Sequence, residues 1–298
     1  MKVNYSLTIL VVLVILIFTF SAQARVIHSE RSLYRNILVE DTADLRCLKF
    51  NVKSRKTNQS CFLKSKPQEL VFNYTKLMFS GLLINQSPKR ILIVGLGGGT
   101  MSNTLHELFP DSVIDNVELD PAVTKVAREY FGFFENTKVK TITQDGRVYI
   151  KRALLKKQQY DWIILDAFNG DYIPEHLLTA EFLQETKGLL SEQGVLSANT
   201  FSNSRLYDHE SATYAAVFDQ FFSVNNSSNE NRIIVAVKGE LPEKSSLTKH
   251  IAPLQQRLKP YGVNVTRIFN SITTKQDWQQ DTKILTDQFS PANLLNTQ

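Results

Sequence analysis

Three acids end three apolar, β-branched runs: Glu118 closes 114–117, Asp145 follows 139–143, and Asp166 closes 160–165. Strand tips of open α/β sheets are where ligands bind, so the three carboxylates are expected to line one crevice. A single such acid is more often a helix cap or a solvated turn; three in succession call for a chemical reason. The first comes with a partner. Ahead of it, the run 91–94 leads straight into Gly95, Gly97, Gly98 and Gly99, and Glu118 stands nineteen residues past the last of them. Glycines there let the backbone turn tightly and present amide hydrogens at the start of a helix near Met101. An acid at that distance, on the tip of the next strand, meets a ribose diol. Alone, a glycine turn is a weak signal, because loops collect glycine for steric reasons. Strand, turn, helix, strand and acid together describe a nucleoside-binding half-fold.

The turn also narrows the nucleoside. A dinucleotide asks for G-x-G-x-x-G to seat a pyrophosphate, whereas this turn reads G-x-G-G-G. That form suits a ligand without phosphate and favours an S-adenosyl compound over NAD.

The elements needed to position these groups follow in order. Short extended pieces between Val26 and Val71, with a polar tip at 53–59, predict a small β-hairpin layer. A helix is predicted over 74–84, then helices over 121–131, 147–157, 181–190 and 211–221, alternating with strands near 194–200 and 232–237. The tail from Leu241 on reads as mostly helical. The resulting fold class is α/β, a Rossmann-like sheet preceded by a β-hairpin layer. The expected division is 1–24 as leader or anchor, 25–73 as β domain, 74–240 as catalytic domain and 241–298 as helical extension.

At 298 residues, 43% hydrophobic and 21% charged, the chain has material for a sizeable core. Its formal charge of +5 is scattered, with no aromatic-flanked basic patch, so nucleic acid is not an expected partner. The five histidines form no metal-ligand spacing, and no metal site is expected. No G-x-S-x-G elbow or phosphate loop occurs. At the amino end, Lys2 precedes fourteen uncharged residues, 7–20, and then Ala22-Gln23-Ala24. Two readings stand: a cleaved signal peptide leading to an exported, periplasmic protein, or an uncleaved membrane anchor flanked by Arg25, Arg31 and Arg35. Cys47 and Cys61, the two cysteines, pair in an oxidising compartment and remain thiols in the cytoplasm.

The order of parts resembles the spermidine synthase family of polyamine aminopropyltransferases, in a divergent, membrane-associated or exported branch. YRNILV is similar to the family's opening hairpin, NYTKLM to its active-site tyrosine segment, and ILIVGLGGGT with VELD to its nucleoside loop and acid. QDGRVYI, YDWIILDAFNGDYIPEHLLT and the tail ILTDQFSPANLL extend the resemblance. It implies catalytic roles for Asp166, as base, and Tyr74. It further implies that Gly95, Gly97 and Gly99 shape the donor loop, Glu118 takes ribose, Asp145 takes adenine and Gln68 contacts the nucleoside. By the same resemblance no cofactor is expected to be held permanently; the expected co-substrate is decarboxylated S-adenosylmethionine or S-adenosylmethionine, the acceptor a small amine, and the assembly a homodimer.

Two positions depart from the family pattern: Gly98 and Asn169 stand where the family carries acids. Losing two negative charges beside cationic ligands weakens their attraction, which keeps two alternatives open, an S-adenosylmethionine-dependent methyltransferase and a non-catalytic nucleoside- or polyamine-binding protein.

Overall fold

The computed structural model describes residues 24–52, 55–168, 172–225 and 231–291. The expected leader or anchor (apart from Ala24), the hairpin tip at 53–54, Asn169 and the last tail residues lie outside these. Among the described residues, no helix is long and apolar enough to cross a membrane.

The chain opens with a five-stranded antiparallel sheet in sequential order: β1 Arg25–Arg31, β2 Asn36–Thr42, β3 Leu45–Val52, β4 Arg55–Leu63 and β5 Lys66–Leu70. Cys47 and Cys61 are direct register partners on β3 and β4 and form a disulfide. Closing a loop of sequence separation 14 restricts the unfolded chain, so replacing both cysteines by Ala is expected to cost about 3 kcal/mol. Urea denaturation of the wild type, with and without reductant, reads the same difference.

The second sheet has eight strands, in the order β13-β11-β12-β10-β9-β6-β7-β8. Its parallel part comprises β6 Arg90–Val94, β7 Val113–Glu118, β8 Val139–Thr143, β9 Tyr160–Leu165 and β10 Leu190–Phe201. Beyond β10 the direction reverses through β12 Asn231–Val237, β11 Phe222–Asn225 and β13 Ile272–Thr273. The strand order turns around between β6 and β9, the switch point where a doubly wound sheet opens a crevice. Ile91, Leu92, Ile93 and Val94 are all buried, because both faces of β6 are covered. Full burial of such side chains stabilises by about 1.5–3 kcal/mol each.

Helices α2 Thr100–Leu108, α3 Pro121–Tyr130, α4 Gly146–Leu155 and α5 Ala180–Leu189 connect the parallel strands, and α6 Tyr207–Phe218 follows β10. Asp120 caps α3 by accepting from the Ala122 amide, and Thr179 caps α5 by accepting from Phe182. The predicted helix over 74–84 is instead α1 Asn73–Met78 followed by a 3-10 turn, Phe79–Leu83. Gly81 explains the change: a Cβ there would lie 2.8 Å from Ser197 Oγ and 2.9 Å from the Trp162 ring, so the backbone itself packs on the sheet. The tail is only partly helical, with α7 Ile251–Leu258 and α8 Val265–Asn270. The described part of the segment ILTDQFSPANLL, up to residue 291, returns to the core. Leu285 is fully buried, its carbonyl accepts from Ala180 N at 2.8 Å, and Asp287 receives a two-pronged contact from Arg147.

The first sheet docks on α3 through Ile37, Val39, Leu48 and Phe50 against Val123 and Val126. That contact hangs the β1–β2 turn and β4 over the carboxyl ends of β6, β7 and β9.

Candidate active site

Glu118, Asp145 and Asp166 line a single cleft, together with Tyr74, Gly95 and Gly97. Its empty space, with the open mouth included, is about 930 Å³. The expectation drawn from the three strand tips is met by the geometry.

The floor is the glycine turn. Gly95, Gly97 and Gly99 all take positive φ, +99°, +53° and +75°. At Gly95 the need is steric as well, since a Cβ would come within 2.2 Å of the Asp166 carbonyl oxygen. The nucleoside turn and the Asp166 strand tip are therefore in backbone contact, and the amide of Asp166 donates to Val94 O at 2.8 Å. Glu118 latches the same turn: Oε2 accepts from Leu96 N and Oε1 from Asp120 N, both at 3.0 Å. Burial pushes its carboxyl up, opposed by those two amides and by Arg35 nearby. Each oxygen keeps a second lone pair able to accept a further hydrogen bond.

Asp145 works twice. Oδ1 caps α4 by accepting from Val148 N at 3.0 Å, and Oδ2 pairs with His176 Nε2 at 2.8 Å. The histidine first, then the helix amides, hold this carboxyl below the usual range although burial opposes them. It stays ionised, an acceptor only.

Asp166 differs in kind. Desolvation pushes its carboxyl up to about 7, against the opposing hydrogen bonds of Asn199 and Tyr74. Tyr74 Oη donates to Oδ2 at 3.4 Å and Asn199 Nδ2 donates to Oδ1 at 2.9 Å. Burial and the Asp166 charge drive the Tyr74 phenol well upward, so it remains a donor. A carboxylate poised near neutrality in a cleft suits a general base.

Gln68 does not join this group. It is exposed on β5 beside α2, lines a separate groove, and its Nε2 donates to Glu107 Oε2 at 3.3 Å. The glutamines that reach the cleft are Gln59, on β4, and Gln144, next to Asp145. Arg35, His176 and Phe50 also line the cleft and were not legible as site residues. Arg35 is half-buried; its guanidinium lies 4.4 Å from the Phe50 ring centre, its Nε 3.8 Å from Asp120, and Nη1 donates to Phe168 O at 3.4 Å. Ser32 Oγ adds a 2.5 Å bond to Asp120.

Gly98, where an acid was expected from the resemblance, is closely packed by side chains of its neighbours. A Cβ would stand 2.7 Å from Ser60 Oγ and 3.0 Å from the Phe131 ring. Gly98→Ala is expected to cost about 1–3 kcal/mol of stability. In a double-mutant cycle by chemical denaturation, Ser60→Gly should relieve part of that cost.

Residues 71–238 match the spermine/spermidine synthase domain. The chain is 45% identical to the polyamine aminopropyltransferase of Vibrio vulnificus over 298 residues, 99% of this chain and all of that protein. Among solved structures it is similar to a probable spermidine synthase from Corynebacterium glutamicum, with a TM-score of 0.65 and 21% identity over 87% of this chain and 99% of that one. It is also similar to human methyltransferase-like protein 13 in complex with SAH, with a TM-score of 0.53 and 27% identity over 74% of this chain and all of the other. The fold is thus common to both groups, while the domain match and the full-length identity are specific to one: the chain belongs to the spermine/spermidine synthase family.

Proposed function

We propose that the protein is a polyamine aminopropyltransferase, moving the aminopropyl group of decarboxylated S-adenosylmethionine to a diamine such as putrescine. The observation that carries this reading is Asp166, held by Tyr74 in the same cleft as Glu118 and Asp145. An ammonium group has no lone pair to attack with. A carboxylate whose pKa sits near 7 takes its proton more readily than an ordinary aspartate. The freed amine nitrogen then bonds to the aminopropyl carbon next to sulfur. The carbon–sulfur bond breaks, its electron pair stays on sulfur, and the sulfonium leaves as neutral methylthioadenosine. Binding both reactants in one cleft converts the encounter into a positioned displacement.

Methyl transfer from intact S-adenosylmethionine is the second reading, favoured by one observation: no carboxylate occupies position 98 to repel the donor's own. Calorimetry with the two donors separates them. The acids of the cleft outnumber its arginine, so decarboxylated S-adenosylmethionine should bind at least about tenfold more tightly than the intact form. Tighter binding of the intact donor would overturn the assignment.

The proposal includes an N-terminal segment that either exports the protein or anchors it at a membrane. Its support is the apolar run 7–20 and the paired Cys47 and Cys61, a pairing suited to an oxidising compartment. A homodimer through the first sheet completes the reading, supported by the exposed Val26 on β1 and Leu33 and Tyr34 in the β1–β2 turn. Sedimentation of the full chain against a Leu33→Asp variant tests it.

A further inference from the structure

Asp166 is gripped from behind by a short chain of side-chain amides that the transfer chemistry above does not use. Asn199, on β10 and almost completely buried, donates Nδ2 to Asp166 Oδ1 at 2.9 Å. Its own Oδ1 accepts from Asn231 Nδ2 on the neighbouring strand β12, at 3.0 Å. The orientation of this relay follows from the carboxylate. An ionised Asp166 only accepts, so Asn199 must present its amide hydrogens to it; the oxygen of Asn199 then faces Asn231, which must donate.

On this basis, and resting on the proposed transfer reaction, we infer that Asn199, locked by Asn231, is a positioning residue that reserves Oδ1 of Asp166 and leaves Oδ2 as the proton-accepting atom. A proton placed on Oδ1 would meet the amide hydrogens of Asn199. On Oδ2 it lies beside Tyr74 Oη, at the wall of the cleft. The relay thus aims the base toward the amine and holds its pKa down against burial.

The other charged groups around Asp166 are accounted for. Tyr74, on α1, is the titratable side chain bonded to it among the described residues. Glu118, Asp145 with His176, and Arg35 face the cleft from β7, the β8 end and the first sheet. Behind β10, Arg232 bonds Thr200 and Ser211 and lies 3.5 Å from Glu210, one residue beyond Asn199 along the strand.

Two variants of the full chain test the relay. Asn199→Leu removes the donor. Asn231→Asp, a near-isostere not in contact with Asp166, cannot donate, so the Asn199 amide turns round and presents its oxygen to Asp166. Titration of the Asp166 carboxyl is followed by carbon-13 NMR, with Asp166→Asn to assign the signal, beside the pH profile of kcat/KM. Both variants should move the carboxyl titration and the acidic limb to higher pH. Transfer should fall about tenfold at pH 7 and recover by pH 9, as expected for losing one hydrogen bond to a charged group. A carboxyl titration unchanged in both variants, or a loss of equal size at every pH, would overturn the relay. If Asn199→Leu does not fold, Asn231→Asp decides alone. If the wild type transfers no aminopropyl group, the proposed reaction fails, while the carboxyl titration still decides the relay.

Discussion

Asp166→Asn is expected to lower aminopropyl transfer by about a thousandfold, the scale of a lost general base, while leaving affinity for methylthioadenosine unchanged. The two readouts separate because Asp166 sits at the tip of β9, across the switch point from the Glu118 latch that would hold the ribose. The same substitution should stabilise the fold at alkaline pH. Burial raises the Asp166 carboxyl from its ordinary 3.8 to about 7, so the folded state keeps a proton that the unfolded chain releases. Stability therefore falls as pH climbs through that window, and the full penalty is present above 7. Asparagine carries no such charge, and the gain at pH 8 relative to pH 4 should be on the order of 2–4 kcal/mol. Urea denaturation at the two pH values measures it. Equal losses of transfer and nucleoside binding would instead make Asp166 a binding group.

Glu118→Ala carries the second large effect, on affinity. Two hydroxyls bonded to a carboxylate account for about a hundredfold in binding. The variant also strands the amides of Leu96 and Asp120, both of which end on Glu118. Each buried donor left unpaired costs about 1–3 kcal/mol, so a lower denaturation midpoint should accompany the weaker calorimetric binding of methylthioadenosine. Unchanged affinity in a folded Glu118→Ala protein would remove the ribose from this position.

Much of this arrangement was legible because it is local. The run 91–94, the glycines and Glu118 lie within one β-α-β unit, where spacing alone sets the geometry. The three acids could be grouped because parallel strands all end on one edge. What escaped reading comes from segments far apart in sequence. Arg35 and Gln59 reach the cleft only because the first sheet docks on α3, and no short-range pattern encodes that docking. Gln68 precedes Tyr74 in the chain as the resemblance implies, yet the β4–β5 turn carries it to the α2 flank and into a bond with Glu107. His176 looked like a loop residue until its ring met Asp145. Asn199 sat in the run GVLSANT as one polar residue near the end of a buried strand, and only the parallel pairing of β9 with β10 turns it toward Asp166. The break after Met78 likewise needed Trp162 and Ser197, contributed by other strands.

The cleft also explains how a family member can lack an acid in its glycine turn. Ser60 and the Phe131 ring occupy the space that a side chain at position 98 would need. Cation attraction then falls to the acids on the strand tips: among the described residues, Asp145 pairs with His176, whereas Glu118 and Asp166 are bonded by neutral donors.

The most direct test is turnover of the purified full chain with decarboxylated S-adenosylmethionine carrying a labelled aminopropyl group and a mixture of di- and polyamines, read by mass spectrometry. The account predicts label in an amine lengthened by three carbons and one nitrogen, with methylthioadenosine formed in equal amount. Label remaining in the donor, together with methylated acceptor and S-adenosylhomocysteine when intact S-adenosylmethionine is supplied, would contradict it.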